Sequence, residues 1–264
     1  MRLTFVAPGL TLSGGMLLVV GFANGLCERG HDVTVVSPRV ADTTPNLFDS
    51  RVHIAWTSSS IKPSPGHNLR NAVVALDLAL VVPPSDRLIA TYAPTAVPVL
   101  IASLLGKGLP YWWYADYEEM FETRRVESWI IRHAPRHFKK VLAISRPSVD
   151  ELRQLSGVHA IPVGIGLPDR KDFGPPPIGT IRQAFALYVG DTRARKGLAD
   201  FLAAAEIAST RVPELTVIVV TKDDASISTS VPMLRVIRPG DQELGDLYRT
   251  CGVFASTSWY ESLG

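Results

Sequence analysis

Three cations, Arg193, Arg195 and Lys196, fall within the stretch Phe185–Gly197, FALYVGDTRARKG. Ahead of them Phe185, Ala186, Leu187, Tyr188 and Val189 make the continuous apolar run of a buried parallel strand, and Gly190 marks where it turns. After them, GLADFLAAAEIA from Gly197 has the three-and-four spacing of an amphipathic helix. A helix N-terminus offers free N–H groups and the positive end of its dipole, so cations beside it are unwelcome unless an anion arrives to bind both. The chemistry that suits this arrangement is capture of a diphosphate. Its structural alternative is a solvated basic turn between glycines.

Gly14 and Gly15 offer a second loop, where the first strand hands over to the first helix, with Ser13 placed to cap that helix. In doubly wound sheets ligands arrive at such points, so backbone N–H groups here would face a phosphate or an acceptor; the alternative is a tight turn. The spacing is not GxGxxG, which disfavours a nicotinamide-dependent enzyme. The six histidines are scattered, no DxD motif stands where a nucleotide-bound Mg²⁺ would need one, and Asp223-Asp224 reads as a turn, so no metal or other cofactor is expected. His31, in a helix-to-strand turn, reads as structural.

The elements that must hold these residues alternate. Strands are expected at Leu3–Ala7, across GHDVTVVSP, and at Val52–Trp56, Arg87–Thr91, Pro110–Tyr114 and Val141–Ile144. Helices are expected at Met16–Arg29, Asn68–Leu80, Pro94–Leu105, Glu118–Arg132 and Pro147–Leu155, with a Ser- and Pro-rich loop over Thr57–Gly66. Continuously apolar strands alternating with helices predict a parallel sheet covered on both faces. Clustered glycines and prolines over Gly164–Ile181 break the rhythm. It restarts with strands at Ala186–Val189, Leu215–Thr221, Leu234–Ile237 and Val253–Ser256 and helices from Gly197 and over Gln242–Thr250. The expected fold class is therefore α/β with two Rossmann-like domains: residues 1–165, a linker over 166–183, and a second, incomplete domain over 184–264.

Composition bounds the partners. The chain has 264 residues, 46% of them hydrophobic and 20% charged, with a net charge of +2, too small to argue for nucleic acid. Cys27 and Cys251 each lie in an apolar segment and read as reduced core thiols, which fits a cytoplasmic protein. The N-terminus turns at Pro8-Gly9 and reads as a first strand, not a signal peptide, and no apolar run approaches the roughly 18 residues of a membrane span.

Taken in order, the Gly-Gly loop, RGHDV, AISRPSVDEL, YVGDTRARKG and LGDLYRTCGVFASTSWYESLG resemble the motifs of the retaining, nucleotide-sugar-dependent glycosyltransferases of family four, which have the GT-B fold. The resemblance covers nearly the whole chain and rests on order and spacing. It implies that Lys196 neutralises the donor diphosphate, with Asp191 in the place of the family arginine and Arg193 or Arg195 in reach of the same phosphates. It implies that Glu261 is the first glutamate of a Glu-x7-Glu motif and contacts the donor sugar, and that Gly14, Gly15, Gly190, Leu263 and Gly264 bind the donor. The second glutamate would fall eight positions later, so the chain reads as cut within the motif. On the acceptor side it implies Tyr92 and Thr95 where relatives carry a histidine, and Tyr114 with Asp116 where relatives show a His-Asp pair. Asp116 could instead cap the helix expected from Glu118. Val163 replaces the asparagine of the family's IPNG.

The resemblance implies transfer of a sugar from a nucleotide-diphosphate donor to a hydroxyl of a carbohydrate, lipid-linked or small-molecule acceptor. Configuration would be retained by front-face substitution, with Lys196 and Glu261 as the catalytic pair and no metal. The competing expectation is a non-catalytic or truncated GT-B-like protein that binds a nucleotide or a partner subunit. Residues 124–140, RRVESWIIRHAPRHFKK, set six Lys or Arg against one Glu around Trp129, Ile130 and Ile131. This suits a peripheral contact with an anionic membrane at its inner face; the alternative is a solvated helix with one apolar side.

Overall fold

A computed structural model of the chain describes residues 1–11, 13–39, 45–59, 61, 67–121, 124–165, 171–224 and 226–261. It divides into two compact units, Met1–Gly166 and Leu167–Ser262.

The first unit runs through β1 (Arg2–Val6), α1 (Gly14–Glu28), β2 (Asp32–Ser37), β3 (His53–Trp56), α2 (Asn68–Val81), β4 (Arg87–Ala90) and α3 (Ala93–Leu104). It continues with β5 (Leu109–Tyr114), α4 (Arg125–His133), β6 (Lys140–Ala143), α5 (Arg146–Ser156) and β7 (Ile161–Pro162). The sheet is parallel throughout, in the order β3-β2-β1-β4-β5-β6-β7. Alternate residues of each strand feed opposite faces. Val6, Leu88, Trp112 and Val141 pack under α2 to α5, while Phe5, Val35, Trp113 and Ile144 pack under α1. Both faces are covered, which is why the strands are apolar without interruption.

The second unit contains β8 (Gln183–Val189), α6 (Leu198–Ser209), β9 (Thr216–Thr221), β10 (Met233–Ile237), α7 (Asp241–Thr250) and β11 (Cys251–Phe254), with a parallel sheet ordered β10-β9-β8-β11. Phe201 and Ala205 of α6 cover Tyr188 and Val219, and Leu244 and Leu247 of α7 cover Leu187 and Ile218.

Strand order locates the ligand-receiving edge of each sheet. In the first, the chain passes from β1 outward to β3 and then returns to β4 on the other side of β1. In the second it passes from β8 to β10 and returns to β11 beside β8. The loops that leave adjacent strands in opposite directions open a crevice at each switch point.

Three elements differ from their sequence-based expectation. The helix expected over Glu118–Arg132 is a single 3₁₀ turn at Glu118–Phe121 followed by α4 from Arg125, because Phe121 turns wholly into the core while the Glu118 N–H is taken by Glu151. The last strand lies at Cys251–Phe254 instead of Val253–Ser256, since Cys251 is buried and pairs with Gln183. The strand β7, short and proline-containing, was not expected. Cys27 and Cys251 are both free and buried. Part of the Thr57–Gly66 loop and part of the 166–183 linker lie outside the described residues.

Candidate functional site

At the switch point of the second sheet, β8 delivers the loop from Gly190 to Gly197. A Cβ on Gly190 would stand 2.5 Å from the Tyr188 hydroxyl, so the position admits only glycine without a shift. That hydroxyl lies 3.0 Å from the Asp191 carbonyl and 3.2 Å from the Lys196 carbonyl, sharing its proton between the two ends of the loop. Burial pushes the Tyr188 phenol up to about 12, which keeps it a donor at neutral pH. The loop is therefore closed over a buried tyrosine.

The three cations have different partners. Asp191 is 6% exposed and accepts the Arg193 backbone N–H at 3.1 Å. The Arg193 guanidinium also donates to it, with Nε 2.9 Å from each carboxylate oxygen. Burial pushes Asp191 upward, but the hydrogen bonds from Arg193 together outweigh that and hold it below the ordinary carboxylate range. Arg195 and Lys196 turn instead to the loop that leaves β11. Lys196 Nζ donates to Glu261 Oε1, and Arg195 Nη1 lies 3.7 Å from the same oxygen and 3.3 Å from the Tyr260 carbonyl. The side chains of Arg195, Lys196 and Glu261 are 22%, 22% and 24% exposed, so the triad is sheltered yet within reach of solvent.

Backbone contacts hold the two loops together. Gly197 has φ +66°, and a Cβ on it would stand 1.9 Å from the Thr257 carbonyl oxygen. The Thr257 hydroxyl donates to the Gly197 carbonyl at 2.7 Å. Trp259 donates its backbone N–H to the Arg195 carbonyl at 2.8 Å and its indole N–H to Asp200 at 2.7 Å. Tyr188, Thr257 and Trp259 were not singled out from the sequence; the visible signal was Gly197, whose positive φ admits the second loop. On the far side, Asp223 accepts from both the backbone and the hydroxyl of Thr192 and so props the cation loop, while Asp224 pairs with Arg235 of β10. Leu263 and Gly264 lie outside the described residues.

In the first unit the expected residues gather where β1, β4 and β5 end. Gly14 and Gly15 open α1, exposed, with the Ser13 hydroxyl oxygen accepting the Met16 N–H at 3.2 Å, and an added Cβ on either meets nothing within 4 Å. Tyr92 precedes α3 and is partly buried, with its hydroxyl donating to the Met120 sulfur at 3.6 Å and its ring on Phe121. Thr95 Oγ1 accepts the Thr91 and Tyr92 backbone N–H groups at 3.0 and 3.1 Å, which fixes the turn beneath Tyr92. Asp116 is fully buried, and its Oδ2 accepts the Ala93 N–H at 2.7 Å. It thus caps α3, and not the segment from Glu118.

Tyr114 is fully buried too, its hydroxyl beside the Glu151 carboxylate. Neither that hydroxyl nor Asp116 Oδ1 makes a hydrogen bond of ordinary geometry among the described residues. Burial pushes Asp116 well above the ordinary carboxylate range and pushes Glu151 and the phenols of Tyr92 and Tyr114 upward. Glu151 was missed in the sequence because a helical glutamate is ordinarily solvated; here its Oε1 accepts the Glu118 N–H at 2.6 Å. His31 sits in the turn before β2, its N–H donated to the Leu26 carbonyl. Among the described residues no group of three or more His, Cys, Asp or Glu could hold a metal, and no helix is long and apolar enough to cross a membrane.

The model of the glycosyl transferase 4-like domain matches residues 14–164. No curated protein sequence matches the chain. Among solved structures, sucrose-phosphate synthase from Thermosynechococcus elongatus superposes with a TM-score of 0.73 at 15% identity, covering 100% of this chain and 77% of that one. HepE from Anabaena, solved in complex with UDP and glucose, gives 0.71 at 15% identity, covering 100% and 76%. An α,α-trehalose-phosphate synthase (UDP-forming) from Burkholderia vietnamiensis gives 0.67 at 12% identity, covering 100% and 80%. At such identities the likeness concerns the fold, which is the GT-B type with two Rossmann-like units.

Proposed function

The chain belongs to the glycosyl transferase 4-like domain family, and we propose that it moves a sugar from a nucleotide-diphosphate donor to a hydroxyl acceptor with retention of configuration. The observation that carries this reading is the convergence of Lys196 and Glu261 at the switch point of the second sheet. A lysine beside a helix N-terminus, facing a carboxylate from the opposite loop, suits a ligand that is anionic at one end and rich in hydroxyls at the other. The donor diphosphate takes Lys196 and Arg195, and Glu261, released from the lysine, receives the sugar hydroxyls. UDP is the nucleotide to try first, since HepE is solved with it and the trehalose-phosphate synthase forms it.

Catalysis in this reading is electrostatic. Lys196, Arg195 and the N-terminal N–H groups of α6 stabilise the charge that develops on the leaving diphosphate, a role that fixed dipoles and cations perform without reorganisation. The leaving phosphate takes the acceptor proton on the face from which it departs. No metal takes part, because the two cations supply the charge. Gly14 and Gly15, exposed at the start of α1, offer backbone N–H groups to a donor phosphate, and on the acceptor side Tyr92, which is partly accessible, is the contact residue. Asp116 and Tyr114, being fully buried, act as positioning residues, Asp116 by fixing the first N–H of α3. The acceptor is a carbohydrate, a lipid-linked molecule or a small hydroxyl compound, met at the cytoplasmic side of a membrane.

A second reading rests on Asp191. Its carboxylate stands where family members carry an arginine and consumes Arg193, which suits a protein that binds a nucleotide or a partner subunit without turnover. Incubation with UDP-sugars and an acceptor panel separates the two. The enzyme reading expects acceptor-dependent release of UDP and a product whose anomeric proton, followed by NMR, keeps the donor's configuration. Binding without release of UDP would favour the second reading, and an inverted product would overturn retention.

A further inference from the structure

We propose that the outer face of the helical layer formed by α2, α3 and α4 docks on an anionic lipid bilayer. The three helices lie side by side over one face of the first sheet, α3 packed against both neighbours. Their inward residues are buried as expected, while the outward ones on α2 and α3 are largely apolar. On α2, Leu69, Val73, Leu76 and Leu80 repeat at four, three and four residues and are 82%, 40%, 53% and 68% exposed. Over its twelve residues α3 carries no charge, and Leu104 and Leu105 at its end are 88% and 56% exposed. An apolar row along one helix, joined by two leucines at the end of its neighbour, exceeds the scattered apolar residues of an ordinary soluble surface.

What lies beside the stripe decides the occupant. Val126 and Trp129 of α4 are exposed, the indole stacked on His133 with ring centroids 4.7 Å apart. Ile130 and Ile131 turn into the core, which leaves the outer side of this segment to cations. Arg132 is paired with Glu118, but Arg125, Arg136, Lys139 and Lys140 are exposed and form no ion pair among the described residues. An apolar stripe, an interfacial tryptophan and a rim of uncompensated cations match the acyl boundary, the interface and the phosphates of an anionic leaflet. A second copy would bring an identical basic rim to the contact. With no helix of spanning length among the described residues, the contact is peripheral. The inference requires nothing of the donor site.

Co-sedimentation with vesicles tests it without any turnover. The chain is expected to pellet with mixed phosphatidylcholine and phosphatidylglycerol vesicles, to stay in the supernatant with phosphatidylcholine alone, and to be released by high salt. Each cation near an anionic surface strengthens partitioning about fivefold, so R136E/K139E/K140E should weaken binding by about a hundredfold or more. L76D/L80D, on exposed positions, should weaken it while leaving the circular dichroism melt unchanged; if the triple variant misfolds, K139Q/K140Q serves in its place. Equal binding to neutral and anionic vesicles, unaltered binding of the charge variants, or a dimer that L76D/L80D splits without any vesicle binding would overturn the proposal.

Discussion

Lys196 and Glu261, 65 residues apart in sequence, share an ion pair at the switch point of the second sheet. At 22% and 24% exposure both side chains keep contact with solvent, which screens the pair and limits its contribution to stability to about 1 kcal/mol. Its importance is that it keeps a cation and a carboxylate aimed at one point. A donor must part them. Glu261→Gln should therefore leave the thermal melt within about 1 kcal/mol of wild type, tighten or preserve binding of UDP, which no longer competes with a carboxylate, and lower sugar transfer. UDP binding and transfer falling together would show that Glu261 holds the loop and not the sugar.

Gly197 and Gly14 should respond oppositely to the same change. Gly197→Ala places a methyl group against the Thr257 carbonyl, 1.9 Å away, in a left-handed backbone, and neither obstacle is a flexible side chain. A loss of more than about 1 kcal/mol in a denaturant melt is expected, together with loss of UDP binding. Gly14→Ala enters open space at the first position of α1, where alanine is the better helix former. Its melt should be unchanged or improved, with any effect confined to transfer.

Asp191 and Asp116 predict pH dependences of opposite sign. The folded pKa of Asp191 is depressed, so its contribution is complete above the ordinary carboxylate value and is lost as pH falls through the lower folded value. Asp191→Asn should remove part of the acid-induced loss of stability while lowering the melt at neutral pH, where Arg193 loses its partner. A melt series from neutral to strongly acid pH checks this.

Burial raises Asp116 well above the ordinary carboxylate range. Its contribution is full below the ordinary carboxylate value and is lost as pH rises through the folded value. Asp116→Asn keeps an oxygen for the Ala93 N–H and should be the more stable protein at neutral and alkaline pH. Asp116→Ala removes the cap and should cost about 1 kcal/mol at acid pH, a cost that shrinks as pH rises.

The fold was largely legible because buried parallel strands announce themselves as unbroken apolar runs, and β1, β2 and β9 stand where their runs stand. Of the candidate site, the cations before Gly197 and the glutamate after β11 were legible as residues, and Lys196 and Glu261 do meet. What escaped was pairwise. That Asp191 takes Arg193, that Thr257 packs on Gly197 and that Glu151 faces Tyr114 each depend on register between segments far apart in sequence or on side-chain direction, neither of which periodicity encodes. Tyr114 and Asp116 were readable as residues at the end of a strand, but their complete burial was not, since β5 could have aimed either way.

Titration calorimetry of UDP into wild type and Lys196→Ala tests the central claim most directly. The Lys196 side chain keeps contact with solvent and its ammonium pairs with Glu261, so the variant should melt within about 1 kcal/mol of wild type. Loss of one charge-assisted contact to a diphosphate corresponds to about ten- to hundredfold weaker binding. The account predicts that weakening. Equal affinity of the two proteins, with UDP bound to both, would contradict it.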